Sequence, residues 1–443
     1  MFQSIVEDNI FLNEQNDKRI YRKKEMSGLF DLQKLSLGIF LSTLVLTLFF
    51  QSLFQLAYSQ QLTSVPNSSN SPKNEISNAL LEQFKEIVFN QSSSKSFNNV
   101  AMTNSNIPIV VGIVTTNGTQ VSGFGNISSS NNTQVDGDTV FDIASISKTF
   151  VTIILADMVK QGLVSLDDPI EKYLPTDNVT VPSYTGHKVT LEDLATHASG
   201  LPDFPVGWVR NHSYTTQQVY DFISNTTLSN EPGTKADYSD IGMGLLGHIL
   251  SLRTGVSYDQ LVKDGILDVL AMDSTGMRMN ASGISVPDDI KSRFAKGHIA
   301  GKEVNLEFIP ETIQSAGAMY STTNDLLKYL SANTGLIETK INDAMHETHL
   351  IRHSFGQSSN YKSLKDYIGL GWTVTTDFGK EVISHTGSID GYTSIIGFNP
   401  STQIGLVILC SCDHSDFSPQ EMIDLAIPFL LYYNNQKSEI HGD

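Results

Sequence analysis

The chain has 443 residues, of which 40% are hydrophobic, so it is long enough to bury a large core. Its formal net charge is −18 and its sequence pI is about 4.9. Binding to nucleic acid leaves a basic patch as its footprint, and we find none, so the composition argues against a nucleic-acid partner.

The N-terminal region has the composition of a membrane-directed segment. Residues 1–34 form a polar, basic tail, whereas residues 35–59 contain LSLGIFLSTLVLTLFF and no charged side chain. This apolar run lies between the about 7–15 residues of a signal-peptide core and the about 20 residues of a spanning helix. A cleaved signal peptide and an uncleaved membrane anchor therefore both stay open. In either case the chain after residue 60 is expected outside the cytoplasm, because the basic residues stay inside.

Acceptor sequons of the form N-x-S/T support the same prediction of export. Glycosylation at some of them is a hypothesis that follows from export. The sequons begin at Asn67, Asn90, Asn117, Asn126, Asn131, Asn178, Asn211, Asn225 and Asn280.

One large domain, residues 75–432, is predicted between a polar linker at 60–74 and a polar tail at 433–443. It begins with an amphipathic helix in NEISNALLEQFKEIVF. A hairpin follows in IPIVVGIVTTNGTQVSGFG and is expected to turn at Asn117-Gly118. From 143 to 161 the residues are apolar nearly all round, which predicts a buried helix that ends at Gly162.

The remainder of the domain predicts an α+β fold. Residues 190–345 alternate helical segments with loops, whereas GLGWTVTT, EVISHTG, GYTSIIGFNP and IGLVILCSC are typical of successive strands. Strands at both chain ends around a mostly helical middle indicate one antiparallel sheet shared by the two ends and flanked by helices. Cys410 and Cys412, in the last of these strands, are expected on one face and poorly placed for a disulfide.

A serine and a lysine three residues apart occur at Ser92–Lys95, Ser145–Lys148 and Ser359–Lys362. The first and third pairs lie in polar segments typical of loops, whereas Ser145 begins the predicted buried helix. There the two side chains share one helix face, and the helix N-terminus favours a nearby oxyanion. Lys148 is either buried, where a lowered pKa would make it a base for the serine, or extended to the surface; the pair alone leaves both possibilities.

Ordered motifs make the chain similar to the serine β-lactamase and penicillin-binding-protein superfamily. Ser145-Ile-Ser-Lys148 is followed by Tyr238-Ser-Asp240 and then by His385-Thr386-Gly387. The flanking stretches TLEDLATHASGLPD, GLVSLDDPIEKYLP, GAMYSTTNDLLKYL and SIDGYTSIIGFNP also resemble family segments. The resemblance covers about residues 75–432 and is closest to class C β-lactamase-related hydrolases and D-alanyl-D-alanine carboxypeptidases. It implies a β-lactamase/transpeptidase-like fold with no cofactor and no metal.

The resemblance also implies roles for the site residues. Ser145 attacks a carbonyl, and Lys148 and Tyr238 share the proton transfers. The backbone N–H groups of Ser145 and Ser388 form the oxyanion hole. Asp240, His385, Thr386 and Gly387 are then expected to line the substrate-binding site, which takes a small-molecule or peptide substrate.

Two positions depart from the family pattern. Asp240 replaces the usual asparagine, and an ionised carboxylate accepts hydrogen bonds but cannot donate them. If Asp240 is close to Lys148, its charge also favours the protonated lysine. His385 stands where many members carry lysine, and a mostly neutral imidazole attracts a substrate carboxylate less. Acyl transfer stays possible, but penicillin-type recognition is weakened.

Two further motifs match patterns of nucleotide or metal sites, but we interpret both as structural features of helices. GMGLLG at 242–247 matches a dinucleotide-binding pattern, but no hydrophobic strand precedes it, so these glycines are predicted to allow close helix packing behind Tyr238. HETHLIRH places His346, His349 and His353 at helical spacing without a metalloprotease motif, which favours a solvated helix face. His197 is expected to be a structural histidine near the site.

The motifs therefore predict an exported serine hydrolase that acts on D-amino-acid peptides, β-lactams or related amides. A carboxylesterase on the same scaffold is the alternative enzyme, and a catalytically inactive envelope-binding module is the alternative from another class. The oligomeric state does not follow from the sequence.

Overall fold

The computed structural model describes residues 107–205, 207–209, 212–280, 283–356 and 364–432. All of them belong to Ser71–Asp443, the second of the two units into which the chain divides. The hydrophobic segment 35–59, the linker, the helix predicted near residue 75 and the pairs at Ser92 and Ser359 lie outside the described residues. Within these residues, no helix is both long and apolar enough to cross a membrane.

The described strands lie mostly at the two ends of the domain. In chain order they are β1 (Ile109–Thr115), β2 (Gly118–Phe124), β3 (Asn126–Ser128), β4 (Asn131–Gln134), β5 (Val140–Asp142), β6 (Ser183–Tyr184), β7 (His187–Lys188), β8 (Gly276–Met277), β9 (Met279–Asn280), β10 (Gly283–Ile284), β11 (Gly297–Ile299), β12 (Lys302–Val304), β13 (Met319–Thr322), β14 (His353–Gly356), β15 (Lys365–Ile368), β16 (Thr373–Asp377), β17 (Lys380–Ile389), β18 (Tyr392–Asn399) and β19 (Ile404–Cys410).

Helices fill the middle of the chain and close its C-terminal end. The α-helices are α1 (Ser147–Lys160), α2 (Leu191–Ala195), α3 (Thr216–Asn225), α4 (Asp240–Thr254), α5 (Tyr258–Val262), α6 (Asp268–Leu270), α7 (Asp288–Lys291), α8 (Thr323–Asn333), α9 (Asn342–His349) and α10 (Pro419–Tyr432). Short 3-10 helices span Ala144–Ile146, Ile170–Lys172 and Glu311–Ala316, and a π-helical turn spans Lys263–Leu267.

The main sheet joins the two ends of the domain. It has eight antiparallel strands in the order β14-β15-β16-β17-β18-β19-β1-β2, so the first hairpin of the described chain completes a sheet built by the last strands. This confirms the predicted α+β architecture. The hairpin also forms as expected, but its two central residues are Thr116 and Asn117, one position earlier than predicted, because Thr115 pairs with Gly118.

Both faces of the sheet are covered, which explains the continuous apolar run in β1. Val110 and Val114 belong to the large core shared with the helices of the middle region, whereas Ile109, Val111 and Ile113 pack with helix α10 on the other face. This alternation follows from the two-residue period of a strand. The sheet is therefore a central layer between α10 and the helical region.

Helix α1 confirms the prediction of a buried apolar helix. Eleven of its fourteen residues are buried, and the chain leaves it at Gly162, whose φ of +70° lies in the left-handed region that glycine tolerates. The glycines of GMGLLG also have the predicted packing role. A side chain at Gly244 would lie 2.4 Å from Ile313, and one at Gly247 would lie 2.4 Å from Ser315. Helix α4 can therefore press directly against the 3-10 helix Glu311–Ala316.

Two sequence predictions were wrong. Cys410 and Cys412 form a disulfide, with a Cα–Cα distance of 5.2 Å. Because β19 ends at Cys410, the chain leaves the strand before Cys412 and the assumed alternation does not continue. The segment HETHLIRH is not one solvated helix: α9 ends at His349, which packs on Trp372 and bonds to Asn333, and His353 lies on β14.

Candidate active site

Ser145 lies on the 3-10 helix that leads directly into α1. The preceding residue, Ala144, has a φ of +45°, which is unusual for a residue with a side chain. Its N–H donates a 2.9 Å hydrogen bond to the carboxylate of Asp142, which is itself paired with Arg278 at 2.5 Å. Both charged side chains are almost fully buried. This buried ion pair holds the turn that presents the Ser145 hydroxyl.

Lys148 is fully buried and its ammonium group faces four partners. Nζ donates to Ser145 Oγ at 2.9 Å and to the carbonyl oxygen of Ala316 at 2.6 Å. It also lies 2.5 Å from Asp240 Oδ1 and 4.9 Å from the centre of the Tyr238 ring. Of the two possibilities that the sequence left open for Lys148, the structure shows the buried one, but without the lowered pKa that was expected to accompany burial.

The charge of Lys148 is set by two opposing effects. Burial lowers the pKa of its ammonium group, but the Asp240 carboxylate and the Tyr238 hydroxyl raise it, and the net result is a pKa above the usual lysine value. Lys148 is therefore a cation in the unliganded site. Asp240 therefore favours the protonated lysine, as expected for a carboxylate this close to Lys148.

Tyr238 connects the serine and the lysine. Its hydroxyl hydrogen-bonds to both. Tyr238 is 37% exposed as a whole residue, but the hydroxyl end points into the cluster, and its removal from water raises the pKa to about 12, so it stays protonated at neutral pH. The ring stacks on His197 with 4.4 Å between ring centres. Nδ1 of His197 accepts a 3.1 Å hydrogen bond from the N–H of Ser239, and burial lowers the pKa of this imidazole well below its usual value. The predicted structural histidine therefore supports the Tyr238–Ser239 segment as a neutral ring.

Asp240 is positioned by the start of helix α4. Ser239 caps this helix by accepting a 3.0 Å hydrogen bond from the N–H of Gly242. The N–H of Asp240 donates to Asp203 Oδ1 at 2.9 Å, and the N–H of Ile241 donates to the Asp203 carbonyl. These bonds give acceptors to the first backbone N–H groups of the helix. They fix the helix start in a position from which the Asp240 carboxylate reaches Lys148.

His385 lies on β17 beside this cluster. Its Nδ1 donates a 2.6 Å hydrogen bond to the carbonyl oxygen of Thr386. Burial and the neighbouring Lys148 ammonium lower the pKa of His385 to about 3. The imidazole is therefore neutral at physiological pH, and it supplies no positive charge for a substrate carboxylate.

Strand β17 carries the third motif past the turn of Ser145. A side chain at Gly387 would lie 2.3 Å from the carbonyl oxygen of Ile143, so only glycine permits this contact. Toward β16 the pairing ends at Thr373↔Ser384, whereas toward β18 it continues to Ile389↔Tyr392. Among the residues that the structure describes, no strand therefore pairs with residues 385–389 on the β16 side. Backbone groups on an open strand edge can pair with an extended ligand.

The structure thus brings Ser145, Lys148, Tyr238 and Asp240 into one cluster, with His385 near enough to sense the charge of Lys148. Thr386 and Gly387 follow on the same strand, and Ser388 is exposed farther along it. No group of three or more His, Cys, Asp or Glu side chains in the described ranges is placed to hold a metal ion.

Comparison with known proteins agrees with this geometry. The family model described as Beta-lactamase matches residues 95–428. The chain belongs to the β-lactamase family. This confirms the resemblance drawn from the three motifs, and the protein is a serine hydrolase.

The relatives carry names of two kinds. The chain is 28% identical over 302 residues to the D-alanyl-D-alanine-carboxypeptidase/endopeptidase AmpH of Escherichia coli (strain K12), covering 65% of this chain and 74% of AmpH. It is 27% identical over 277 residues to the Putative beta-lactamase-like 1 of Homo sapiens, covering 61% of this chain and 54% of that protein. The chain therefore spans about half the length of the human relative.

Solved structures confirm the predicted fold. The β-lactamase/D-alanine carboxypeptidase from Yersinia pestis has a TM-score of 0.66 at 22% identity and covers 82% of this chain and 99% of its own. A class C β-lactamase from Rhodobacter sphaeroides has a TM-score of 0.63 at 21% identity and covers 76% of this chain and 97% of its own.

Three contributors to the site were missed by the sequence analysis. The Ala316 carbonyl is a backbone group, which no residue type reveals. Asp203, in the stretch GLPD, gave no signal of its contact with the Asp240 N–H. Asp142 did offer one, because an acid inside the apolar segment VFDI needs a buried partner; that partner, Arg278, is 136 positions away.

Proposed function

We propose that this protein is an exported hydrolase that forms an acyl-enzyme on Ser145 and acts on D-amino-acid peptides, β-lactams or related amides. The observation that carries the proposal is the contact of Ser145 Oγ with Lys148 Nζ at 2.9 Å, with the Tyr238 hydroxyl bonded to both. A nucleophile in contact with proton-transfer groups is the arrangement that acyl transfer requires. The names of AmpH and of the β-lactamases among its relatives support this substrate class.

The first step needs a base that accepts the proton of Ser145. In the unliganded site neither Lys148 nor Tyr238 is in a form that can accept it. Lys148 is an ammonium ion and Tyr238 is a neutral phenol. Asp240 Oδ1, at 2.5 Å from Nζ, is the nearby acceptor for a lysine proton. A bound substrate that excludes water disfavours the charged pair relative to a free amine beside a carboxylic acid. Lys148, through Tyr238, then accepts the Ser145 proton as Oγ bonds to the substrate carbonyl carbon.

The remaining steps use the same groups. The carbonyl oxygen takes up negative charge, which the N–H groups of Ser145 and Ser388 stabilise. The bond to the leaving group breaks as Tyr238 delivers a proton to it. A water molecule then attacks the acyl carbon, Oγ regains its proton, and the free acid leaves. The open edge of residues 385–389 pairs with the backbone of an extended substrate.

Ester hydrolysis is the second candidate function, and the charges of the site favour it. His385 is neutral, and the Lys148 cation is already paired with the Asp240 carboxylate. A substrate with a free carboxylate next to the scissile bond therefore meets little positive charge and one negative group. An acyl donor without that carboxylate loses nothing in such a site.

Export follows from the N-terminal segment, which keeps the chain after residue 60 outside the cytoplasm whether or not it is cleaved. Asn178 and Asn225, each in a sequon, are exposed and can receive a glycan. Peptide mass spectrometry of the native protein, with and without enzymatic deglycosylation, tests both the processing of residues 35–59 and the modification of these asparagines.

Covalent labelling tests the catalytic proposal. The full chain is incubated with a fluorescent penicillin, a fluorophosphonate and a short-chain ester, and the same reactions are run with Ser145→Ala and Ser359→Ala. The second variant is a matched control, since Ser359 also begins a Ser-x-x-Lys sequence. We expect labelling and turnover that Ser145→Ala reduces by a factor on the order of 10⁴ or more and that Ser359→Ala leaves intact.

Each result distinguishes one function. Penicillin labelling supports the amide and β-lactam class, whereas ester turnover with fluorophosphonate labelling alone supports the esterase. No labelling and no turnover by the wild-type chain supports the inactive binding module. Turnover that survives in Ser145→Ala contradicts the proposal.

A further inference from the structure

A cavity of about 240 Å³, lined mostly by residues with polar side chains, lies between helix α4 and the 3-10 helix Glu311–Ala316. Its volume is well above the about 30 Å³ that one water molecule occupies in the liquid and somewhat below the about 300 Å³ at which drug-sized sites begin. The cavity therefore has room for one small molecule. None of the residues assigned above to the catalytic cluster lines it.

Two buried polar groups line this cavity without a hydrogen-bond partner among the described residues. Gln314 is 6% exposed, and its Oε1 is buried and accepts no hydrogen bond. Tyr258 is 3% exposed, and its hydroxyl is likewise buried and unpaired. A buried polar group that lacks a partner costs free energy. A polar occupant of the cavity can supply the missing bond to Gln314.

The lining groups select against charged and apolar occupants. Among the described residues that line the cavity there is no lysine or arginine, and burial lowers the pKa of His248, which keeps that imidazole neutral. The exposed Glu311 carboxylate at the edge repels an anion, and as a single carboxylate it does not form a cation site. An apolar molecule would leave Gln314 Oε1 unpaired.

Hydroxyl groups are the complementary chemistry. Ser251, Ser257 and Thr312 line the cavity together with Gln314. The Ser251 hydroxyl donates to the carbonyl oxygen of Gly247 and the Thr312 hydroxyl bonds to that of Thr216, and both oxygens can accept a further hydrogen bond. Ser257 precedes α5 without capping it, so its hydroxyl is not committed to the helix. Ligand hydroxyls both donate and accept, and they can therefore satisfy an array of this kind. We propose that the cavity binds a small, uncharged, hydroxyl-rich molecule of the size of a monosaccharide or a cyclic polyol.

The cavity lies between two elements that also contact Lys148. The proposed binding does not depend on the proposed catalytic function. Helix α4 begins at Asp240, and the opposing 3-10 helix ends at Ala316, so the two walls belong to elements that contact Lys148 from two sides. The hydroxyl of Ser315 already joins them by donating to the carbonyl oxygens of Met243 and Gly244. Binding in the cavity is measured directly and needs no turnover.

Ligand binding to the full chain tests this inference. Saturation-transfer NMR and isothermal titration are run with myo-inositol and D-glucose as neutral probes, cyclohexanol as the apolar probe and glucose 6-phosphate as the anionic probe. We expect binding of at least one neutral probe with an affinity at least tenfold above those of cyclohexanol and glucose 6-phosphate. Failure of both neutral probes to bind, or equal binding of cyclohexanol, overturns the proposal.

Variants locate the binding. Gln314→Leu removes the unpaired acceptor at similar volume, and we expect it to weaken binding of the neutral probe about tenfold while the chain stays folded, because the lost group had no internal partner. Gln260→Leu is the matched control, since Gln260 is exposed on α5 and does not line the cavity. Ser251→Leu fills the cavity from α4 and provides the same measurement if Gln314→Leu fails to fold. Unchanged binding in the folded cavity variants places the ligand elsewhere and contradicts the inference.

Discussion

Asp240 Oδ1 lies 2.5 Å from the ammonium nitrogen of Lys148, and the lysine side chain is completely buried. A buried charge pair is stabilised by Coulomb attraction at the expense of the hydration of both groups. Here the attraction has a larger effect on Lys148 than its removal from water, since the net result is a raised pKa of the ammonium group. The residue at position 240 thus determines whether Lys148 is protonated in the unliganded site. Family members with asparagine at this position lack that carboxylate.

Replacing Asp240 by asparagine is expected to move the activity of the enzyme to lower pH. Removal of the carboxylate leaves burial as the main effect on Lys148, and burial lowers its pKa. If a neutral lysine is the base, the rising limb of kcat/KM against pH moves to lower pH by about 1–3 units. The profile is measured with an ester or amide that the wild-type chain turns over.

Asp237→Asn provides the control for this experiment. Asp237 lies three positions before Asp240, and its carboxylate forms an exposed ion pair with Lys235. The variant loses the same charge in the same segment but leaves the contact to Lys148 intact, so its profile should match that of the wild type. An unshifted profile in Asp240→Asn would show that the carboxylate does not control the base.

A lysine at position 385 is expected to restore recognition of substrate carboxylates. His385 is neutral because its pKa is about 3. An ammonium group at that place can form a charge-assisted hydrogen bond, which corresponds to about 10–100-fold in kcat/KM for a substrate with a free carboxylate. The measurement compares a D-peptide that ends in a free carboxylate with its methyl ester.

His385→Gln separates charge from shape at this position. Glutamine is polar but uncharged, so it should leave the ratio of kcat/KM for acid and ester close to that of the wild type. A similar gain with glutamine and lysine would mean that the imidazole blocks the pocket sterically rather than electrostatically.

Much of the fold could be predicted from local sequence patterns, whereas the contacts between side chains and backbone groups in the site could not. The apolar run of α1 and the strand-like segments near the C-terminus have periods that residue types reveal directly. The contact of Lys148 with Ala316 joins residues 168 positions apart and involves a backbone carbonyl, so no residue pattern reports it. The disulfide at Cys410 was missed because it depends on where a strand ends, and element ends are the least certain part of a pattern.

The buried pair of Asp142 and Arg278 is expected to be essential for stability. Asp142→Ala leaves a buried guanidinium without its carboxylate, and breaking such a pair costs about 3–5 kcal/mol of the free energy of unfolding. Urea unfolding followed by circular dichroism measures this loss. Asp268→Asn, in an ion pair with Lys263 that is about half exposed, is the control and should leave the unfolding midpoint unchanged.

A double replacement distinguishes the two roles of this pair. Asp142→Leu combined with Arg278→Met removes both charges, and we expect it to regain a large part of the lost stability. The N–H of Ala144 still lacks its acceptor, so the turn that presents Ser145 is no longer held and activity stays low. Recovery of full activity together with stability would show that the carboxylate does not position the nucleophile.

The buried neutral histidines are expected to make the fold sensitive to acid. His385 has a pKa of about 3 in the folded chain, against about 6.5 when unfolded. Between these values the unfolded chain binds a proton that the folded chain excludes. The free energy of unfolding therefore falls as the pH is lowered from about 6.5 toward 3, by about 1.4 kcal/mol per pH unit for each such histidine. His197, whose pKa is also lowered by burial, contributes in the same direction.

Comparing variants isolates this contribution from that of the carboxylates. His385→Gln removes one acid-sensitive group, so the dependence of the unfolding free energy on pH between pH 6 and 4 should become shallower by about 1.4 kcal/mol per pH unit. Gln260→Leu changes an exposed side chain of α5 without removing a titratable group, and it should leave the slope unchanged. Equal slopes in the wild type and in His385→Gln would mean that His385 takes up its proton in the folded chain, and the electrostatic basis for weak carboxylate recognition would then fail at acidic pH.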